Sequence, residues 1–294
     1  MFIFELKVSI FPIALHLTTF EGMCGRYVLI EKLEAYEQRF HAKAFPAPPR
    51  VVLPHFNLGP GALAPVILNT DPNHIRWLRF GMTPFWAKKS MLLFNARSEG
   101  DHNSDDNPGF RGARGIITKP AFRKPIRSQR CLVIADAFIE GPKQEKLDKP
   151  YLVFIQRRPF AFAGIWDEWA DPETGEIISS FAIITTTPNT VLQKIGHHRS
   201  PVILHENNER RWLQDIPLSE VTALLDPYPA TGMNAYPLDK RIKHPRENDP
   251  TLLNPVGPSV VPEKELRIVQ DLKLQGMGYT KRDDRPQQGS LELL

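Results

Sequence analysis

A cysteine close to the start of the chain carries the most distinctive chemistry in the sequence. It lies in the segment Met23-Cys24-Gly25-Arg26-Tyr27. An initiating methionine before a small residue is normally removed, which would leave Cys24 with a free α-amine beside its thiol. This pair captures an aldehyde as an imine and then as a five-membered thiazolidine, and reference pKa values of roughly 8 and 8.5 leave both groups partly deprotonated near neutrality. The segment predicts an aldehyde trap; a small buried thiol beside a turn glycine is the structural alternative.

Two further segments place polar side chains directly after apolar runs. Asn95, Arg97 and Glu99 follow the apolar run Met91–Phe94, and Glu140 follows a hydrophobic strand pattern. Partial burial would raise the pKa of such a carboxyl group toward the range of a general base. The structural alternatives are a strand end or helix cap at Asn95 and an ordinary solvated carboxylate at Glu140.

A pair of histidines lies between a predicted helix and an apolar strand, at His197-His198-Arg199. Histidine is suited to proton transfer near neutral pH, although adjacent histidines are also found in purely structural roles. Their side chains point apart and no HExxH or C-x-x-C pattern is present, so we predict no metal site. The sequence also lacks GxxxxGK[ST] and GxGxxG, so we expect no nucleotide cofactor.

Charge is distributed unevenly along the chain. The formal net charge is +4, yet the segment from Arg76 to Arg130 holds twelve basic and four acidic residues, so it carries +8 and the remainder −4. Such an asymmetry is typical of a surface that binds phosphates. A solvated basic surface without a ligand is the alternative.

Length and composition restrict the class of protein. The chain has 294 residues, is 41% hydrophobic and 24% charged, and contains two cysteines, which exclude a disulfide framework and a four-cysteine zinc site. Charged residues and a proline interrupt the apolar opening, which is too short to span a membrane. We predict a cytoplasmic, monomeric α+β protein with one domain at residues 23–262. Residues 1–22 are expected to be an extension that the mature protein lacks, and residues 263–294 a flexible tail.

Hydrophobic periodicity predicts the elements that position these residues. The predicted strands are Ile75–Met82, Cys131–Glu140, Tyr151–Gln156, Phe160–Trp169 and Ser180–Thr187. The predicted helices are Ile30–Ala42, Asn189–Ile195, Asn208–Gln214 and Leu218–Leu225.

Several short motifs occur together in an order that resembles one known family. They are Met-Cys-Gly-Arg-Tyr, Asn57-Leu58-Gly59-Pro60-Gly61, Gly81-Met82-Thr83-Pro84-Phe85-Trp86, Asn95-Ala96-Arg97-Ser98-Glu99, Arg130-Cys131-Leu132, Phe138-Ile139-Glu140 and His197-His198-Arg199-Ser200-Pro201-Val202-Ile203-Leu204. The chain resembles the SRAP family of SOS response-associated peptidases, or abasic-site processing proteins, from Met23 to Gly257. The resemblance implies a single α+β domain with a central β-barrel-like sheet, flanking short helices and a groove for single-stranded DNA.

The resemblance also implies catalytic roles. Cys24 would form a thiazolidine crosslink with the aldehyde of an abasic site, and Asn95 would orient the aminothiol and the opened sugar. Glu140 would take protons from the nucleophile, and His197 would act as acid or base in sugar-ring opening and crosslink reversal. The family usually has an aromatic residue after the glutamate, where this chain has Gly141.

DNA-binding roles follow from the same resemblance. Arg26 and Arg97 would hold the phosphates beside the lesion, and Phe85 and Trp86 would lie against exposed bases. The implied activities are DNA–protein crosslinking, DNA lyase and autopeptidase activity, during the SOS response at the nucleoid. Because residues 1–22 would block the amine of Cys24, we expect translation to start at Met23, or the extension to be removed. A noncovalent single-stranded DNA-binding protein and a thiol peptidase acting on other proteins are the alternatives.

Overall fold

The computed structural model describes residues 25–262. The predictions for residues 1–22, for Cys24 and for the 263–294 tail lie outside this range. The strands are β1 Arg26–Leu29, β2 Lys43–Ala44, β3 His55–Leu58, β4 Leu63–Leu68, β5 Asp71–Phe80, β6 Asn95–Arg97, β7 Arg130–Ala135, β8 Ala137–Glu140, β9 Tyr151–Ile155, β10 Phe160–Ala170, β11 Ile177–Thr186, β12 Ser200–Pro201 and β13 Met233–Pro237. The helices are α1 Leu33–Phe40, α2 Pro125–Ser128, α3 Thr190–Lys194, α4 Glu206–Leu213 and α5 Leu218–Ala223.

Five strands close into a β-barrel. Their order is β5, β4, β7, β10 and β11, and a parallel pairing of β11 with β5, at Ser180–Arg79 and Phe181–Phe80, completes the circle. Phe80 and Phe181 stack with ring centroids 5.1 Å apart. The predicted α+β single domain with a central barrel and short helices is therefore confirmed.

A second sheet packs against the barrel in the order β13, β9, β8, β1 and β3. Side chains alternate across it. Tyr27 and Phe138, which lie opposite each other on β1 and β8, join the barrel core, whereas Val28 and Ile139 join a separate cluster on the other face. This sheet therefore shares one core with the barrel and has a second core of its own.

A buried carboxylate turns the chain from the barrel into the second sheet. The predicted strand Cys131–Glu140 is divided at Asp136, whose Oδ2 accepts hydrogen bonds from the Ile30 amide at 2.6 Å and the Tyr36 hydroxyl at 2.6 Å. The two halves pair with different neighbours, β7 with β4 and β10, and β8 with β1 and β9. The single predicted strand is thus two strands joined by a corner.

Candidate active site

The end of β8 brings a carboxylate and an imidazole together in the protein interior. Glu140 and His197 are buried, and His197 Nε2 lies 3.2 Å from Glu140 Oε2. His197 Nδ1 lies 2.6 Å from the Gly141 carbonyl oxygen. Because a carbonyl only accepts, Nδ1 carries a hydrogen, and the contact at Nε2 is favourable when one proton lies between Nε2 and Oε2. This geometry allows the pair to hold and transfer a proton.

Helix α3 fixes the position of His197. Asn189 caps its first turn, accepting hydrogen bonds from the amides of Val191 and Leu192 at 3.1 Å. At the other end Gly196 has φ +76°, its amide donates to the Gln193 carbonyl, and the His197 amide donates to the Leu192 carbonyl. These two bonds form the Schellman motif, which requires the left-handed conformation that glycine adopts freely. The end of α3 therefore places His197 beside Glu140.

The residue after Glu140 lies in a tightly closed loop. An ideal Cβ at Gly141 would lie 1.7 Å from the Lys146 carbonyl oxygen, closer than any real contact. Any larger residue, including the aromatic expected from the family resemblance, needs a different path for residues 141–146. The glycine is therefore linked to the compact form of this loop, and through its carbonyl to the orientation of His197.

Strand β6 presents Asn95 and Arg97 on one face and buries Ala96 on the other. It pairs in parallel with β11, with Asn95 opposite Ile183 and Arg97 opposite Thr185. Arg97 is partly exposed, and its Nη2 donates to the Asn103 carbonyl at 2.6 Å and to Asp106 Oδ1 at 2.9 Å.

A buried ion pair braces β6 against the segment that carries the histidines. Arg199 donates to both carboxylate oxygens of Glu99, at 3.0 and 2.8 Å, and to the Thr185 hydroxyl at 3.2 Å. Both charged side chains are buried. Burial opposes the charged form of Glu99, but Arg199 and the other hydrogen bonds outweigh it and hold the pKa of Glu99 below its ordinary value. The brace fixes the spacing between β6 and the start of β12.

Arg26 lies on the opposite face of the second sheet from Glu140. It pairs with Ile139 across β1 and β8, while the alternation places Glu140 on the face of Phe138. Its guanidinium donates to Asn57 Oδ1 at 2.6 Å and to the carbonyls of Ile242 and Lys243 at 3.3 and 3.2 Å. Arg26 therefore ties β1 to β3 and to the 240–243 turn, and does not adjoin the Glu140–His197 pair.

The connection between β5 and β6 displays two exposed aromatic side chains, Phe85 and Trp86. The Phe85 amide donates to the buried Asp167 carboxylate at 2.9 Å, and Trp169 donates to the Ala87 carbonyl at 2.6 Å. Lys124 Nζ lies 4.2 Å from the centroid of the Phe85 ring, a cation–π contact. The backbone under the two aromatic rings is thus anchored while the rings face solvent.

The basic segment does not form one continuous cationic surface. Arg130 is buried and donates to the carbonyls of Ile126, Arg127, Trp212 and Gln214. Four other members form ion pairs with acids: Arg76, Arg97, Arg114 and Lys119. Among residues 25–262, the exposed side chains without a carboxylate partner include Lys88, Lys89, Arg123 and Lys124. The simple count of +8 therefore overstates the charge available to a ligand.

Sequence patterns do not mark Asp106 and Lys143, which lie next to the predicted site residue Arg97. Asp106 bridges Arg97 and Lys143, whose Nζ lies 2.8 Å from Asp106 Oδ2. Both residues lie in irregular loops with no periodicity, and no motif marks them. The only sequence signal for Asp106 is an abundance of turn-forming residues after Gly100.

Other kinds of site receive no support in the part of the chain that the structure describes. No group of three metal-ligating side chains occurs among residues 25–262, and none of their helices is long and apolar enough to cross a membrane. A cavity of about 340 Å³ lies elsewhere, lined in part by Arg39, Arg157, His205, Glu209 and Tyr228, and contains none of the predicted site residues.

Comparisons with known proteins agree with this architecture. The family model described as SOS response associated peptidase (SRAP) matches residues 23–245. Abasic site processing protein YoqW of Bacillus subtilis is 33% identical over 239 residues, covering 79% of this chain and 99% of that protein. Abasic site processing protein HMCES of Pongo abelii is 26% identical over 294 residues, covering 83% and 79%. A solved structure from Bacteroides thetaiotaomicron has a TM-score of 0.66 at 26% identity and covers 80% of this chain and 100% of its own. The chain belongs to the SRAP family.

Proposed function

We propose that this protein captures abasic sites in single-stranded DNA as a covalent thiazolidine crosslink through Cys24. The support is threefold: the relatives are named abasic site processing proteins, a buried Glu140–His197 pair is suited to proton transfer, and Gly25, the residue after Cys24, lies directly before the strand that pairs with β8. Gly25 precedes β1, whose first residue lies opposite Ile139, the neighbour of Glu140. Cys24 precedes Gly25 in the sequence.

The crosslink forms in two balanced steps. The Cys24 amine adds to the C1′ aldehyde of the ring-opened sugar, and loss of one water gives an imine. The thiolate then adds to the imine carbon while the nitrogen takes a proton, which closes the five-membered ring. The net reaction joins protein and DNA with release of one water, and it requires proton transfer at several heteroatoms.

The Glu140–His197 pair would supply that proton transfer. Glu140 accepts a proton from the aminothiol, and His197 Nε2 donates one to the departing oxygen or to the ring oxygen during sugar opening. The Gly141 carbonyl keeps Nδ1 protonated, so only Nε2 takes part. Asn95, which is partly buried on the same face of β6 as Arg97, would orient the aminothiol and the opened sugar.

DNA would bind through phosphates and base stacking. Arg97 and the remaining donors of Arg26 would hold phosphates, while Phe85 and Trp86 would stack on bases, each stacked base being worth about 1–3 kcal/mol. These contacts read no base edge, so binding would be salt-dependent and largely independent of sequence. Lyase and autopeptidase activity would use the same Cys24 and His197, in the cytoplasm during the SOS response.

A denaturing gel tests the proposal. Protein beginning at Cys24 is incubated with a single-stranded oligonucleotide that carries one abasic site, beside Cys24→Ser and Cys131→Ser variants. Cys131 is buried and its pKa is raised by burial, so its variant controls for cysteine loss. A denaturant-resistant band that is absent only for Cys24→Ser supports the proposal. DNA binding without any such band supports the noncovalent alternative.

A further inference from the structure

Asp106 holds together the cations that surround the candidate DNA site. Its Oδ1 accepts from Arg97 Nη2 at 2.9 Å, and its Oδ2 accepts from Lys143 Nζ at 2.8 Å and lies 3.8 Å from His198 Nε2. Although burial opposes its charge, Lys143, His198 and Arg97 hold the pKa of Asp106 below its ordinary value, so it is a carboxylate at neutral pH. One anion is therefore bound by three convergent groups.

The segment bearing Asp106 is a compact loop with closed ends. An ideal Cβ at Gly100 would lie 2.9 Å from the Gly115 carbonyl carbon, and the Ile116 amide donates to the Ser98 carbonyl, so the two ends meet. Such closure defines an Ω-loop, here residues 100–115. Within residues 25–262, the loop reaches Arg97 through two groups, the Asn103 carbonyl and the Asp106 carboxylate.

Guanidinium and ammonium groups commonly bind phosphate oxygens, so the site that Arg97 and Lys143 form around the Asp106 carboxylate also fits a DNA phosphate. We infer that Asp106 occupies a phosphate subsite in the free protein and that DNA binding exchanges this carboxylate for a backbone phosphate on Arg97 and Lys143. This inference rests on the proposed DNA-binding function. It makes Asp106 a competitor of the ligand, and Lys143 a further phosphate-binding residue.

Asp106→Asn is a nearly isosteric test of the exchange. Asp106 has φ +57°, a left-handed conformation in which asparagine is well tolerated, so the substitution preserves the backbone. Asp105→Asn is the matched control, because this substitution removes the same charge from the same loop. Asp105 is exposed and contacts the Ser104 hydroxyl. Any difference between the variants reports the contact with Arg97 and Lys143, not net charge.

The experiment measures the Kd for single-stranded DNA by fluorescence anisotropy. Asp106→Asn is expected to bind single-stranded DNA about fivefold tighter than Asp105→Asn. This factor corresponds to the free energy of one partly exposed ion pair that no longer competes with DNA. The gain should shrink when Arg97 is also changed to Ala. Equal affinities of the two single variants, or weaker binding by Asp106→Asn, would overturn the exchange. Failure of the unaltered protein to bind DNA would instead refute the proposed function.

Hydrogen exchange on the unaltered protein provides a second test that needs no variant. The Asp106 amide donates to the Asn103 carbonyl, and the Asn107 amide donates to the Asn103 side chain. Release of Asp106 and the Asn103 carbonyl from Arg97 is expected to speed exchange in residues 103–107 when DNA binds. Hydrogen exchange that is unchanged or slower in the complex would contradict the replacement of the carboxylate by a phosphate.

Discussion

The chemistry of this protein depends on how single side chains are oriented. His197 bonds the Gly141 carbonyl with one ring nitrogen and faces Glu140 with the other, so its tautomer is determined by a backbone group. Proton exchange at His197 is then confined to Nε2, the nitrogen that faces Glu140. We propose that the two residues act as one proton-transferring unit, and we expect its loss to affect rate more than binding.

Replacing either member of this pair should slow crosslinking without weakening DNA binding. For Glu140→Gln and His197→Ala we expect crosslinking rates to fall by about 10²–10⁴, the usual contribution of general acid–base catalysis, with a Kd within about twofold of the unaltered protein. Gel kinetics and anisotropy measure the two quantities separately. A proportional loss of DNA affinity would show that the pair binds DNA instead of transferring protons.

The two arginines should differ in what they stabilise. Arg97→Ala is expected to weaken DNA binding and to lower the slope of log Kd against log salt by about 0.7, the value for one phosphate contact on a single strand. Arg26→Ala should also reduce the free energy of unfolding, because Arg26 joins β1 to Asn57 and to two backbone carbonyls. Thermal denaturation distinguishes the Arg26→Ala variant from the Arg97→Ala variant. A salt slope unchanged by Arg97→Ala would remove Arg97 from the interface.

The site residues predicted from the sequence belong to motifs, whereas Asp106 and Lys143 are placed near Arg97 by loop geometry and were not predicted. Asn95, Glu140 and His197 stand beside apolar runs, which mark polar groups held at the ends of core elements. Asp106 and Lys143 reach the site only because two irregular loops fold back on it. Such long-range contacts leave no periodic signal.

Short connections between elements determine the shape of the candidate pocket. The 141–146 loop, the Schellman turn at Gly196 and the Glu99–Arg199 brace together fix three strand ends. The Lys143 amide also donates to the Gly196 carbonyl at 2.9 Å, which joins the first two. A change in one connection is therefore transmitted to the others.

Adding a single methyl group at Gly141 should disturb the pocket. Gly141→Ala forces the Lys146 carbonyl to move, with an expected cost of about 1–3 kcal/mol in the free energy of unfolding and slower crosslinking through displacement of His197. Gly59→Ala is the control, since its nearest neighbour would be 3.5 Å away. Urea denaturation and gel kinetics measure both effects. Equal stabilities of the two variants would refute the tight loop.

The Glu99–Arg199 brace should be sensitive to acid. The folded pKa of Glu99 lies below its ordinary 4.5, so the brace contributes fully at higher pH and is lost as pH falls through the folded pKa. Glu99→Gln is expected to cost about 3–5 kcal/mol at pH 7 and progressively less at more acidic pH. The exposed Glu173→Gln serves as control, with urea midpoints measured across pH. A loss that is the same at every pH would show that the ionised carboxylate is not responsible.

Elements with a clear pattern were predicted, although their ends were not. The helix predicted over Ile30–Ala42 runs from Leu33 to Phe40 and ends at His41, whose φ is +52°. Strand β4 was not predicted, because Pro65 interrupts its apolar run. The proline is tolerated because β4 pairs with β7 only over Val66–Leu68, so no ladder bond with β7 is lost at Pro65. Tertiary pairing of this kind cannot be read from local propensity.

At the scale of the whole molecule, the proposed DNA contacts are divided between the barrel and the second sheet. The anchored aromatic pair Phe85 and Trp86 lies on the connection that leads into β6, and the proton-transferring pair lies at the end of β8. The net charge of the chain predicts affinity for a polyanion, but ion pairs and one buried arginine restrict where it can bind. The overall charge was predictable, whereas its distribution depended on the fold.

The proposed function requires a free aminothiol at Cys24 that joins permanently to an abasic site. Intact mass spectrometry tests it on two proteins, one that begins at Cys24 and one that retains residues 1–23, each mixed with the same abasic oligonucleotide. We expect a covalent product only for the first protein, with the mass of protein plus oligonucleotide less one water. A covalent product of equal yield from the protein that keeps its first 23 residues would contradict it.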